Sequence, residues 1–396
     1  YDDFTFDIGP HRFHTDVPEV ERYIQDVLAH DLRTIPRESW VRFKGEFYPW
    51  PLHPSFVMLK FPPSIAAGAL LDIVSLMKPD VVSFKDQIVN MYGDTLYRHF
   101  FEGYSAKFLG IVPELTHPDW ASTGIDRAII DNRLKMKNLR QLLFSILLPI
   151  RAPETEFIYP AGGCEQFIVN LARKYEAQGG ELLCGRAVDT MEAEGGSISR
   201  VTVGDRSFTP SQVVWTGTVH SLAAGLGLDR PDLHYRALVC YNMRLSEGKT
   251  LPFQWCYHGA ADIIFSRVSI PANFDSGNTP GGKRSMCVEV TCDEGDKLYR
   301  DPMQQLDRVI YDLKREGLLR ADQEVLDVRT EKFPWSYPIY KFDYKQKLGR
   351  FREQLDGFDN LLTAGRLGNF WYNNMDHCIA ASQAMVKKIA QRVQAP

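Results

Sequence analysis

Apolar residues recur at Val17, Val20, Tyr23, Ile24, Val27 and Leu28. That is the period of one helix face, and it predicts an amphipathic helix from Val17 to His30. Two short runs follow, Trp40–Phe43 and Glu46–Tyr48, flanking Lys44-Gly45. Runs joined by such a pair read as a β-hairpin with a tight turn. From Pro63 to Ile150 the pattern is helical, punctuated by Pro and Gly into several helices. Gly162-Gly163 opens another helix through Ala177, ended by Gly179-Gly180. Strand-length runs come next at Glu181–Cys184, Ala187–Ala193, Ile198–Val203 and Gln212–Trp215, with Glu194-Gly195-Gly196 as a turn. The β-branched runs Leu238–Leu245, Ile263–Ile270 and Ser285–Thr291 predict a mixed sheet. Pro302–Glu316 predicts a helix, and Val325–Pro334 a strand that leads into an aromatic loop. The chain closes with a short buried strand over Asp359–Ala364, a glycine-bearing loop, and a helix over His377–Val393.

Composition narrows the function classes. A chain of 396 residues accommodates about two or three domains. Its 44% hydrophobic and 24% charged content is that of an ordinary soluble globular protein. A net charge of −4 argues against nucleic acid as the main partner, because phosphate binding needs a basic face. The seven cysteines are scattered without a Cys-x-x-Cys pair, which predicts a reducing, cytoplasmic setting rather than zinc or disulfides. No apolar run reaches the roughly eighteen residues of a membrane span. Ile65–Met77 and Leu139–Ile150 come nearest. A Gly-x-Gly-x-x-Gly fingerprint in a strand–turn–helix setting is absent. The opening Asp2–Ile8 reads as the tail of a strand, so the expectation is a chain truncated at its N-terminus.

Several residues have a chemical reading and a plainer one. His11 and His14 stand three apart, but no third metal ligand of suitable spacing follows, which argues against a metal pair; the plainer reading is a turn with one surface and one packed His. Tyr104 reads as a core or helix-end tyrosine with a paired hydroxyl, or as a ligand contact. Asp376 reads as the cap of the last helix. The segment Gly365-Arg366-Leu367-Gly368-Asn369-Phe370-Trp371-Tyr372-Asn373-Asn374-Met375-Asp376 delivers the chain into that helix. A helix N-terminus presents unpaired N–H groups and a positive dipole end, which suits a ring that gains negative charge.

That segment resembles the closing flavin-binding motif of UDP-galactopyranose mutases and their relatives in the amine oxidase and protoporphyrinogen oxidase superfamily. Phe6–Thr15 with its Gly9-Pro10-His11, Leu96–Lys107, and Tyr159-Pro160-Ala161-Gly162-Gly163 support the likeness in family order. The resemblance implies an α/β (mixed α+β) fold. It consists of a discontinuous, N-terminally truncated Rossmann-like FAD domain over 1–16, 151–222 and 355–396, a mostly helical insert over 17–150, and a mixed-sheet substrate domain over 223–354. It implies FAD as cofactor, contacted by Gly9, Pro10, His11, Val188, Gly365, Arg366, Tyr372, Met375 and Asp376. His11 and His14 take places near the flavin edge, and Arg366 lies beside the ring. Tyr104 corresponds to the tyrosine against the nucleotide base, and Arg267, Tyr337 and Tyr372 to side chains on the substrate diphosphate. His11, His14, Arg267 and Arg366 are the catalytic candidates.

The activity so implied is ring-contracting isomerisation of a nucleotide-diphosphate sugar supported by reduced flavin, with a small-molecule substrate as partner. Self-association is left open. The alternative is an FAD-dependent oxidoreductase of the amine oxidase type. Three departures favour that alternative. Leu109 replaces a pocket tryptophan of the mutases and His53 replaces an asparagine. Their second diphosphate arginine, in an Arg-x-Pro-x-Arg stretch, has no counterpart, although Arg127 and Arg133 lie near the expected region.

Overall fold

The computed structural model describes residues 1–29, 32–50, 62–75, 80–125, 156–248 and 251–394. His53, Arg127, Arg133 and the stretch Leu139–Ile150 lie outside them. The chain divides into two compact units.

The first unit comprises Tyr1–Arg12, Ala29–Gln166 and Arg236–Ser336. Its frame is a seven-stranded mixed sheet. In chain order the strands are β1 (Ser39–Phe43), β2 (Glu46–Pro49), β3 (His234–Leu245), β4 (Trp255–His258), β5 (Arg267–Ser269), β6 (Arg284–Cys292) and β7 (Val325–Ile339), and in space they lie β7-β3-β6-β5-β4-β1-β2. β4 runs parallel to β1, whereas β4–β5, β5–β6 and β6–β3 are antiparallel. Side chains alternate between faces along a strand. One face supplies the core: Val239, Tyr241 and Met243 from β3, Cys256 from β4, Val268 from β5, and Met286, Val288 and Val290 from β6. The amphipathic helix Leu306–Arg315 covers it with Val309 and Leu313. The opposite face carries Ser39, Trp255, Tyr257, Arg267, Ser269, Cys287, Glu289 and Asn242, aligned by cross-strand register. Pro334 and Pro338 are tolerated in β7 because it is the edge strand, where a missing N–H breaks no ladder bond.

The second unit comprises Phe13–Leu28, Phe167–Tyr235 and Tyr337–Pro396. The helix Pro18–Leu28 buries Val20, Ile24, Val27 and Leu28 of the expected apolar face, whereas Val17 and Tyr23 are exposed. Phe13 packs on Phe167 at 4.9 Å between ring centroids. Leu361–Thr363 pairs in parallel with Val213–Trp215. A separate antiparallel sheet is built from Thr190–Glu194, Ser197–Val203 and Arg206–Phe208. The Asn360 amide joins the two sheets, accepting from Ile198 N at 2.7 Å and donating to Ile198 O at 3.0 Å.

Among the local expectations that differ from the structure, the aromatic loop after Pro334 is instead the continuation of β7 to Ile339. Glu181–Cys184 forms no strand and is exposed; its apolar residues have no sheet to join. Of Ile263–Ile270 only Arg267–Ser269 is strand, because a lysine from another helix takes up the carbonyls of the preceding residues. The closing loop contains a helical turn, Gly365–Gly368, before the last helix, Met375–Gln394. Among the described residues no helix is long and apolar enough to cross a membrane.

Candidate functional site

In the first unit, the Gly9-Pro10-His11 turn lies over the polar face of the sheet. Gly9 adopts φ +71°, and a Cβ there would stand 2.8 Å from the Glu289 carboxylate, so only glycine fits without displacement. His11 N donates to Gly9 O at 2.9 Å, which closes the turn. The segment is anchored by Asp7, whose carboxylate accepts from Tyr159 Oη at 2.7 Å and from Cys164 N at 2.9 Å. Asn278 Nδ2 donates to the same tyrosine oxygen at 2.9 Å. Two of the sequence motifs, 152 residues apart, are thus tied by one hydrogen bond. Burial pushes the Asp7 carboxyl up against the pull of those donors.

Beneath Gly9, Arg267 donates through Nε and Nη2 to the two oxygens of Glu289, each at 2.6 Å. This is a bidentate pair with the carboxylate 1% exposed. β5–β6 register places the two residues directly opposite each other. The Arg267 guanidinium also lies 5.9 Å from the centre of the Tyr257 ring. Tyr257 meets Tyr104 edge-on at 5.6 Å, and Tyr104 stacks on Phe108. Trp50 approaches Tyr257 at 6.3 Å.

Tyr104 is held in register with the sheet by close backbone packing, since a Cβ on Gly103 would meet Gly259 O at 2.9 Å. One turn further along the helix Glu102–Leu109 that bears Tyr104, Lys107 Nζ donates to the carbonyls of Ala260, Ile263 and Phe265 at 2.8, 3.2 and 2.9 Å. Those residues connect the strands that bear Tyr257 and Arg267. Burial lowers the Lys107 ammonium to about 8. Leu109, one step beyond Phe108, is fully buried.

A second cluster belongs to the other unit. The Arg366 guanidinium lies 4.9 Å from the centre of the Tyr372 ring and 5.8 Å from that of Tyr337. Its Nε donates to Asn373 O at 3.2 Å. Tyr337 and Tyr372 meet edge-on at 5.7 Å, and Tyr372 N donates to Tyr340 Oη at 2.9 Å. Gly365 takes φ +75° at the turn that delivers Arg366. Gly368 packs so tightly that a Cβ would stand 2.6 Å from Trp215 O. Met375 and Asp376 open the last helix, with Asp376 3.1 Å from His377. Asn373, immediately before that helix, is 1% exposed, and its Nδ2 has no hydrogen bond among the described residues. His14 is partly exposed, 3.8 Å from Asp16. Val188 is half-buried in an otherwise exposed stretch ahead of Thr190–Glu194.

The structure therefore brings Gly9, Tyr104 and Arg267 into one neighbourhood, and Tyr337, Gly365, Arg366, Tyr372, Met375 and Asp376 into another. Sequence reasoning missed Glu289, Tyr257, Tyr340 and Asn373. For Glu289 a signal existed: a lone carboxylate inside the run Met286–Thr291 is out of place in a buried strand unless it is paired.

Residues 1–244 match the model of the family described as flavin containing amine oxidoreductase. No curated protein matches the chain. Among solved structures, a reduced UDP-galactopyranose mutase superposes with a TM-score of 0.80 at 17% identity, over 95% of this chain and 83% of that one. A protein from Exiguobacterium sp. named as a protoporphyrinogen oxidase gives 0.73 at 15% identity, over 99% and 89%. A putrescine oxidase bound to putrescine gives 0.56 at 13%, over 98% and 91%. These likenesses establish the fold: mixed α/β, of the FAD-binding amine oxidase type.

Proposed function

The chain belongs to the flavin containing amine oxidoreductase family, and on that premise we propose that this FAD-dependent flavoenzyme is an oxidoreductase, oxidising a C–N or C–C single bond of a small substrate by taking a hydride from its carbon while the neighbouring atom releases a proton to solvent. The observation that carries this choice is the Arg267–Glu289 pair. A diphosphate clamp needs an arginine fork free to bind two phosphate oxygens. Here both prongs of the Arg267 fork already rest on a buried carboxylate, and the pair is neutral overall. The neighbouring surface consists of aromatic rings, Tyr104, Tyr257 and Trp50, which suit a flat or apolar substrate. The burial of Leu109 argues in the same direction, since that position contributes no ring to a base-binding pocket.

The residues present fit the cofactor. The first turn of Met375–Gln394 offers N–H groups without intrahelical partners, and the Asn373 Nδ2 donor beside it is buried and unsatisfied among the described residues. Both suit an acceptor edge that gains negative charge. Gly365, Arg366, Tyr372, Met375 and Asp376 would hold the flavin ring. When bound, the flavin supplies two-electron acceptance. The protein's own part is to position the substrate carbon, exclude water and hold charge through Arg366.

The mutase reading stands second, and one observation favours it. Arg366 lies against Tyr337 and Tyr372, the tyrosines expected on a diphosphate. Anaerobic mixing separates the two. Bleaching of the flavin by an amine or another hydride donor, with no sugar interconversion after dithionite reduction, supports the oxidoreductase. Interconversion of UDP-galactopyranose and its furanose form, without net electron consumption, would overturn it.

A further inference from the structure

We propose that the outward face of the helix Pro63–Ser75 is a lipid-contact surface, by which the protein lies on an electrically neutral bilayer interface without crossing it. The inference goes beyond the functional reading above and stands or falls independently of it.

A surface helix ordinarily turns its large apolar side chains to the core and its polar ones to water. The helices Pro18–Leu28 and Leu306–Arg315 follow that rule. Pro63–Ser75, which holds most of the apolar run Ile65–Met77, is built the other way round. Its packed stripe is Ile65, Gly68, Ala69 and Asp72, spaced by three and four residues. Ile65 and Ala69 are buried, and a Cβ on Gly68 would stand 2.8 Å from Thr95 Oγ1. Asp72 Oδ2 accepts from Thr95 N at 2.7 Å, so the one ionisable side chain of the helix is turned inward. The stripe that faces away repeats the same spacing with Ala67, Leu70, Leu71 and Val74, of which Leu71 and Val74 are 69% and 74% exposed. Small and polar groups thus make the protein contact, and the large apolar ones meet the surroundings. Apolar surface left in water is unfavourable in proportion to its area, and an apolar medium removes that cost.

Size selects the occupant. A helix of 13 residues is about 20 Å long and about 10 Å across. Its outward face therefore offers roughly 200 Å², against about 800 Å² that each partner contributes to a stable protein interface. A second copy of this chain, or another protein, would find too little here. An interfacial helix needs only one apolar face, sunk to the boundary between headgroups and acyl chains. The length also falls short of the roughly 30 Å hydrocarbon core, so the helix lies on the bilayer. Charge selects the lipid. Anionic headgroups are recruited by clustered Lys and Arg, and this helix has neither. The adjoining turn Asp94–Leu96 pairs Asp94 with Arg98, which adds no net charge. The contact is therefore apolar, and zwitterionic lipid suffices for it.

The test is co-sedimentation of the FAD-loaded protein with vesicles of phosphatidylcholine, alone or mixed with phosphatidylglycerol, at low and high salt. Binding to pure phosphatidylcholine is expected, with no loss at high salt. Leu71→Ser and Val74→Ser should each weaken it severalfold, and the two together by about tenfold or more. Leu71→Phe enlarges the face and should tighten binding severalfold. Ile168→Ser alters another exposed apolar side chain, 61% exposed in the second unit, and should change nothing. If a serine variant melts early, Leu71→Phe decides, because it keeps the position apolar. The proposal is overturned if the parent sediments with no vesicle, if the variants bind like the parent, or if Ile168→Ser weakens binding equally. It is overturned as well if binding requires phosphatidylglycerol and vanishes with salt. A dimer in analytical ultracentrifugation that Leu71→Ser dissolves, without vesicle binding, would give the face to a second copy instead. Flavin bleaching by hydride donors is measured separately, so failure of either reading leaves the other standing.

Discussion

Replacing Arg267 with Ala tests whether the Arg267–Glu289 pair is the resting state of the protein. The substitution removes two charge-assisted hydrogen bonds of 2.6 Å and strands a carboxylate that is 1% exposed. Glu289 has little room to escape, because the Gly9 backbone packs directly on its carboxylate. Breaking one side of a buried pair costs about 3–5 kcal/mol. For a cooperative unit of this size that corresponds to a fall in Tm of roughly 6–20 °C. Replacing both partners, as Arg267→Met with Glu289→Leu, removes the buried charge altogether and should return most of the loss, because a well-packed apolar pair is often neutral or better. Thermal unfolding followed by tryptophan fluorescence at pH 7, on parent, single and double variants, reads this out. The reasoning is refuted if Arg267→Ala melts within about 1 °C of the parent, or if the double variant is no more stable than the single one. A single variant of parental stability that loses UDP binding by more than about tenfold would show Arg267 to be a diphosphate ligand instead.

Three further outcomes are expected. His258 is 1% exposed and lies 3.6 Å from Glu316; burial lowers its pKa to about 4, so as pH falls from about 6.5 the unfolded chain takes up the proton first. Stability should therefore be complete above about pH 6.5 and decline by up to about 3 kcal/mol toward pH 4, and urea titrations of His258→Phe should show a flatter profile over that window. Lys107→Met removes a donor from three carbonyls between Gly259 and Ser266, of which Ala260 O keeps a bond from Ile263 N, and should cost about 2–4 kcal/mol; limited proteolysis should then cut that segment, and an uncut variant would show that the lysine does not hold it. Gly9→Ala forces a side chain into φ +71° and against Glu289, at about 1–3 kcal/mol, and should lower the melting temperature; a variant that melts with the parent would show that Glu289 yields to the added methyl.

Local periodicity determined much of the frame. The helix Pro18–Leu28, the hairpin around Lys44-Gly45 and the helix Met375–Gln394 were legible because their apolar spacing or turn chemistry lies within a few residues. The closing motif was legible for the same reason: Gly365, Arg366, Tyr372 and Asp376 fall within one short segment, and the structure places Arg366 against Tyr372 as a local event. Tertiary structure decided what these groups touch. Arg267 looks the same in sequence whether it faces a ligand or a carboxylate, and only the pairing of β5 with β6 sets Glu289 opposite it. Lys107 reads as an ordinary basic residue near a helix end until the fold supplies three carbonyls more than 150 residues away. Arg12, Arg37 and Trp255 share no local pattern at all, and they meet because β1 and β4 lie side by side with the N-terminal segment across them. The physical reason is common to all three cases. Helical and turn preferences are set by neighbours along the chain, whereas the charge a buried group needs is set by neighbours in space.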